Sequence, residues 1–202
     1  MGFGTVLSHQ QDGILRGTSA LVALNEEDDF KLLQAESASH YAFNKGSSKQ
    51  TYPSSLMGMI ALIRQVHFDA KWYAENQKST AYNRSLSAVL ETQNLPKIFD
   101  ANGALSQLRA DKIGDEFGFQ FILKGNGTEF QRIQDIKETG APLIVPVKFP
   151  KAYDVSDPFA SLQLSLSAMK DWELAPQNLR YLSEAGVEVA ITADGLKSEK
   201  EF

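Results

Sequence analysis

The sequence predicts an α/β protein built on a parallel sheet. Repeated junctions carry that expectation. DEFG (Asp115–Gly118) leads into FQFILK, KETG (Lys137–Gly140) into APLIVPVKF, and SEAG (Ser183–Gly186) into VEVAITAD. At each, a helical pattern ends on glycine, the residue most able to take the left-handed conformation that closes a helix, and an apolar strand pattern follows at once. Helix and strand alternating in this way is the grammar of parallel crossovers. It fits an open doubly wound sheet and a closed barrel equally well.

Taken in order, Gly2–His9 (GFGTVLSH) reads as a buried strand, which QDGILRGTS breaks with Gly13 and Gly17 as turn residues. Ser19–Asn25 is a second strand and Glu26–Asp29 an acidic turn. Ala38–Lys45 is a third strand, with His40 near its start, and Gly46–Pro53 is loop. Ser54 or Ser55 then caps the clearest helix, where Leu56, Met59, Ile60, Ile63, Val66, Ala70 and Tyr73 form one apolar stripe. A polar helix over Tyr82–Thr92 follows. No strand pattern separates these helices, so residues 54–94 read as a helical insertion packed outside the core of a single domain spanning 1–202.

Leu95–Ala101 is a short strand, and Asn102 or Gly103 opens a helix through Leu105, Leu108, Ile113 and Phe117. Phe119–Leu123 is the next strand and Lys124–Gly127 a turn. Thr128, with Gln131 three residues on, has the spacing of a capping box for a helix that ends at Gly140. Leu143–Phe149 is a strand, and Pro150–Ala160 is loop. Ser161–Leu174 fits no single template, and Pro176 suits the first turn of a helix ending at Gly186.

Composition removes several function classes. A net charge of -5 without a clustered basic run argues against a nucleic-acid partner. The chain has no cysteine, which excludes thiol catalysis and Cys-ligated zinc. No apolar run reaches membrane-spanning length, so no membrane partner is expected. Strand-like sequence starts directly after Met1, and GLKSEKEF stops as the first turn of a helix would, so a piece of a longer protein is expected.

In parallel α/β folds, chemistry gathers at the C-terminal ends of strands. Those ends carry Asp100, Lys124, Lys148 and Asp194, and His9 closes the first strand. The histidines are isolated: H-x-H, H-E-x-x-H and G-x-S-x-G are all absent, and Lys124-Gly-Asn-Gly lacks phosphate-loop spacing. Lys124 and Lys148 could alternatively hold an anion in an unrelated α/β binding domain.

At these strand ends the chain resembles the imidazolonepropionase-like branch of the metal-dependent amidohydrolases. KIFDANGALSQLRADKIGDEFG is similar to the family's fifth strand and helix, and FILKGNGTEFQRIQDIKETGAPLIVP to its sixth and seventh strands. LSEAGVEVAITAD resembles the approach to the end of its eighth strand, and GFGTVLSH its second. The resemblance implies a TIM-type (β/α)8 barrel, here partial and lacking its first strand. It implies metal-assisted hydrolysis of C–N bonds in amides, cyclic amides or peptides. The family's eighth-strand aspartate, a metal ligand and catalytic base, matches Asp194. Its metal histidines on the fifth and sixth strands fall on Asp100 and Lys124. An ammonium at Lys124 would repel a divalent cation and require a carboxylate, Asp194 or Asp100. The resemblance therefore implies a degenerate metal site: Asp194 and Asp100 as ligands only if a metal is present, and Lys124, Lys148 and His9 as substrate contacts. No cofactor is expected in this segment, with zinc or another divalent metal reserved for the complete protein. The expected partners are the remainder of the parent chain and a second copy in a homo-oligomer. The alternative is an inactive structural or dimerising module beside an active domain.

Overall fold

A computed structural model describes residues 4–24 and 31–196. The chain divides into two compact units: Met1–Asp100 with Lys112–Phe121, and Ala101–Asp111 with Ile122–Phe202.

Unit 1 begins with strands β1 (Thr5–Ser8), β2 (Leu15–Ala23) and β3 (Lys31–Ala42). Both β1–β2 and β2–β3 pair antiparallel, which corrects the parallel arrangement expected for this part of the sheet. The reason is chain length. Only residues 9–14 join β1 to β2, and a parallel return needs a crossover of a dozen residues or more. The QDGILRGTS break is also corrected. β2 runs straight through Gly17, whose φ of 78° sits where the β2–β3 register shifts. β3 starts earlier than its sequence pattern, so His40 lies near its C-terminal end rather than its start. The acidic turn at residues 26–29 and the first-turn reading of residues 197–202 lie outside the described residues.

The helical stretch between β3 and β4 is α1 (Leu56–Asn76) and α2 (Arg84–Glu91). Ser55 caps α1, its side chain accepting from Gly58 N, and Asn83 caps α2 by accepting from Ser85 N and Leu86 N. The apolar stripe buries Ile63, Ala70 and Tyr73. The Tyr73 hydroxyl accepts from Asn83 N at 3.1 Å and so ties the helices together. These helices form the crossover between β3 and β4 (Lys97–Asp100), which pair parallel with Ser39 opposite Lys97 and Tyr41 opposite Phe99.

The next elements are α3 (Ala104–Phe117) and β5 (Phe121–Lys124). Tyr41, Phe99 and Phe121 bring their rings together in the unit 1 core, with Phe121 edge-on to the other two at 5.3 and 5.0 Å. Burial pushes the Tyr41 hydroxyl pKa up to about 12. Each large aromatic removed from water here contributes on the order of 2 kcal/mol.

Unit 2 carries the expected parallel arrangement. β5, β6 (Leu143–Pro146) and β7 (Val189–Thr192) pair parallel in sequence order. Between β5 and β6 lie a 3-10 turn, Glu129–Arg132, and α4 (Ile133–Thr139), closed by Gly140 at φ 65°. The capping box at Thr128 does not form. The Thr128 hydroxyl instead donates to Asn126 Oδ1 at 2.7 Å, and the turn is organised by a different side chain, Glu129. The ambiguous stretch after β6 resolves into α5 (Pro158–Leu162) and α6 (Leu166–Leu174), followed by α7 (Asn178–Glu184). Ile136, Leu123, Leu143, Val145 and Leu182 form the unit 2 core.

Candidate functional site

The C-terminal ends of β5, β6 and β7 bring together the charges singled out in unit 2. Lys124 Nζ donates to Asp194 Oδ2 at 2.5 Å. Lys124 is largely buried, whereas half of the Asp194 side chain is exposed. The hydrogen bond and charge of Lys124 hold the Asp194 carboxyl below its usual range, against partial burial, with smaller help from Gly195 N–H and Lys148. Lys148 packs on the chain just beyond: a Cβ at Gly195 would lie 3.0 Å from its Cδ. Among the described residues, no group forms an ion pair with Lys148.

Beneath the β5–α4 turn lies a carboxylate that sequence reasoning missed. Glu129 is fully buried. Its Oε1 accepts from Gln107 Nε2 at 2.8 Å, Asn126 N at 3.0 Å and Gly127 N at 3.3 Å. Its Oε2 accepts from Asn178 Nδ2 at 2.7 Å, and Asn178 Oδ1 in turn accepts from Phe130 N. Gly125 is required by this approach, since a Cβ there would stand 2.0 Å from Glu129 Oε1. The Lys124-Gly-Asn-Gly run is therefore a wrap around a carboxylate. Its available signal was the pair of glycines immediately before an acidic residue at a strand-to-helix turn.

Unit 1 places the other expected residues. Asp100 Oδ2 accepts from Arg16 Nη1 at 3.0 Å, and the Arg16 side chain is almost wholly buried. Arg16 was passed over because its segment reads as a turn. His9 stacks on His40, with ring centroids 3.9 Å apart and planes 8° from parallel. A register in which β3 begins at Lys31 would have brought His40 forward as a neighbour of His9.

One oxygen of each of these carboxylates is already engaged: Asp194 Oδ2 accepts from Lys124 and Asp100 Oδ2 from Arg16. Among the described residues, no group of three or more His, Cys, Asp or Glu stands close enough together to hold a metal ion.

No protein-family model and no curated protein matches the chain. Its fold is similar to that of a solved amidohydrolase from Thermotoga maritima MSB8, with a TM-score of 0.69 and 21% identity. The match covers 100% of this chain and 53% of that one, so the chain spans about half the length of that structure. The class thus defined is a mixed α/β, amidohydrolase-like fold, consistent with a partial barrel.

Proposed function

We propose that the chain is a segment of an amidohydrolase-type protein, of the imidazolonepropionase-like branch, whose metal position has been given over to an ion pair. The observation that carries this reading is the 2.5 Å contact between Lys124 Nζ and Asp194 Oδ2, at the ends of the two strands that flank β6. An ammonium within hydrogen-bonding distance of a carboxylate competes directly for the lone pairs a divalent cation would use. The class reaction of the resembled family is hydrolysis of C–N bonds in amides, cyclic amides or peptides. In this reading the segment supplies scaffold and, through Lys124 and Lys148, substrate contacts to it. Asp194 is its catalytic carboxylate, with Asp194 and Asp100 as metal ligands only in a complete protein that supplies zinc or another divalent ion. The remainder of the parent chain is the first partner of such a segment, and a second copy of the chain the next.

A second reading, an anion-binding α/β module, is favoured by Lys148, which forms no ion pair among the described residues. Elemental analysis of the purified chain tests the main reading. The expected result is zinc, iron and manganese all far below one per chain. A stoichiometric divalent metal that survives dialysis would overturn the ion-pair reading.

A further inference from the structure

Unit 1 contains a cavity of about 350 Å³ on the helix side of β3 and β4, away from the strand-end charges already described. That volume is within the range of small-molecule pockets, roughly 300–1,000 Å³. Its walls come from the C-terminal half of α1, the end of α2, the start of β4 and the segment after α3. The lining contains Lys97, Lys71 and His67, and no aspartate or glutamate. Phe117 and Phe119 supply aromatic wall, and Ala74 and Leu90 aliphatic wall.

The polar groups in this cavity are incompletely used. Lys97 is buried and forms no ion pair among the described residues. Its Nζ donates to Gln93 O at 2.6 Å and Leu95 O at 3.2 Å and lies 4.8 Å from the centre of the Phe119 ring. An ammonium has three protons, so one remains for the ring face or for a ligand. His67 sits among Tyr41, Phe117 and Phe119, with ring centroids 5.9, 4.9 and 5.3 Å away. Its Nε2 is buried without a hydrogen-bond partner. A buried polar atom left unpaired is costly, and a ligand that supplies its partner recovers that cost.

We propose that this cavity is a binding site for a small organic carboxylate with an apolar or aromatic body. The carboxylate lies between Lys97 Nζ and His67 Nε2–H, with the exposed Lys71 ammonium at the rim. The body lies against Phe117, Phe119, Ala74 and Leu90. A phosphate dianion fits less well, since aromatic walls leave most of its oxygens without donors. The perturbed titrations agree. Burial pushes the Lys97 pKa down, and burial together with Lys97 pushes the His67 pKa down to about 4. Lys97 and His67 share this lining with no acidic side chain, and a bound carboxylate reverses both shifts. This site is independent of the metal reading in unit 2.

The test compares benzoate, phenylacetate and hexanoate with their primary amides at constant ionic strength, by thermal unfolding and by NMR of the imidazole signals. The chain has 3 histidines, so these signals separate readily. At ten times Kd the matching acid raises Tm by about 3 °C or more while its amide does not. The His67 signal moves, and those of His9 and His40 stay. Lys97→Met abolishes the response. Since that variant also loses two contacts to carbonyls, Ala74→Trp serves as a folded control that fills the cavity and abolishes it too. Lys71→Met weakens binding several-fold. No response to any acid, equal responses to acids and amides, or binding retained in Ala74→Trp would each overturn the proposal.

Discussion

Each unit buries a formal charge without an opposite charge beside it, and the two are treated differently. In unit 2, the Glu129 carboxylate receives two side-chain amides and two backbone N–H groups, three of them on Oε1 and one on Oε2. Gln107 turns its amide to serve it and leaves its own Oε1 buried and unpartnered. In unit 1, the Lys97 ammonium receives two carbonyls and a ring face, and it borders a cavity that carries no acid. A charge closed in by dipoles from several elements organises a turn. A charge half enclosed beside empty volume is arranged to meet something else.

The largest expected effect breaks the closed side of this comparison. Glu129→Ala leaves the Gln107 and Asn178 amides and the Asn126 and Gly127 N–H groups facing a void. The expected loss is on the order of 4 kcal/mol, read as a shift of the urea midpoint at constant slope. If the midpoint stays within error of the parent, Glu129 is not what holds the turn. Gly125→Ala follows, at on the order of 3 kcal/mol, because its Cβ would meet Glu129 Oε1 at 2.0 Å and Gln107 Nε2 at 2.4 Å, both held in the buried network. Combining the two changes should cost less than their sum, since the clash disappears with the carboxylate.

The closed network also explains what was legible in the sequence. The helix-to-glycine-to-strand junctions were legible because each is local: Gly140 takes φ 65° where helical spacing ends, and β6 follows within three residues. Lys124 and Asp194 were found for the same reason, as polar residues ending apolar runs. Glu129 was not legible, because its partners Gln107 and Asn178 are 22 and 49 residues away and neither belongs to a motif. In unit 1 the misreadings are of direction and register. Periodicity of two marks a strand without saying which way its neighbour runs, so the β1–β2 and β2–β3 pairings depart from the parallel pattern that β3 keeps with β4. Starting β3 seven residues late then moved His40 from one end of its strand to the other.

A smaller effect sharpens the open side. His67 is held neutral, with its pKa lowered from 6.5 to about 4 by burial and then by Lys97. The unfolded chain therefore takes up a proton at this position between about pH 6.5 and 4 while the folded chain does not. Stability falls as pH drops through that window and is fully present above it. Discounted for partial exposure, the contribution is on the order of 2 kcal/mol. His67→Leu should remove this part of the pH dependence while changing stability little at pH 8. Parallel stability–pH curves for the variant and the parent between pH 4 and 7 would rule it out. A carboxylate bound in the cavity should shallow the same slope in the parent, because it lets the imidazole charge without unfolding.

The smallest effect concerns the Lys124–Asp194 pair, where charge meets charge directly. Lys124→Met keeps the stem that packs at the end of β5 and removes the ammonium. Asp194 is half exposed and can rehydrate, so the expected cost is about 1 kcal/mol rather than the larger penalty of a fully buried pair. Its pH signature is opposite in origin to that of His67. The folded-state pKa of Asp194 is lowered, so its contribution is present above the unfolded carboxylate value of about 3.9. That contribution is lost as pH falls toward the folded value. In Lys124→Met the acid limb below about pH 4 should therefore flatten. The difference from the parent should also shrink in 1 M salt, where the screening length is about 3 Å. Glu129 in the same unit should not answer to the salt test, because its partners are dipoles within a buried turn. If Lys124→Met instead cost as much as Glu129→Ala and resisted salt, the strand-end pair would have to be regarded as part of the closed core rather than as an exchangeable surface contact. In that case the ammonium could not be displaced by a metal or a substrate anion without unfolding the end of the sheet.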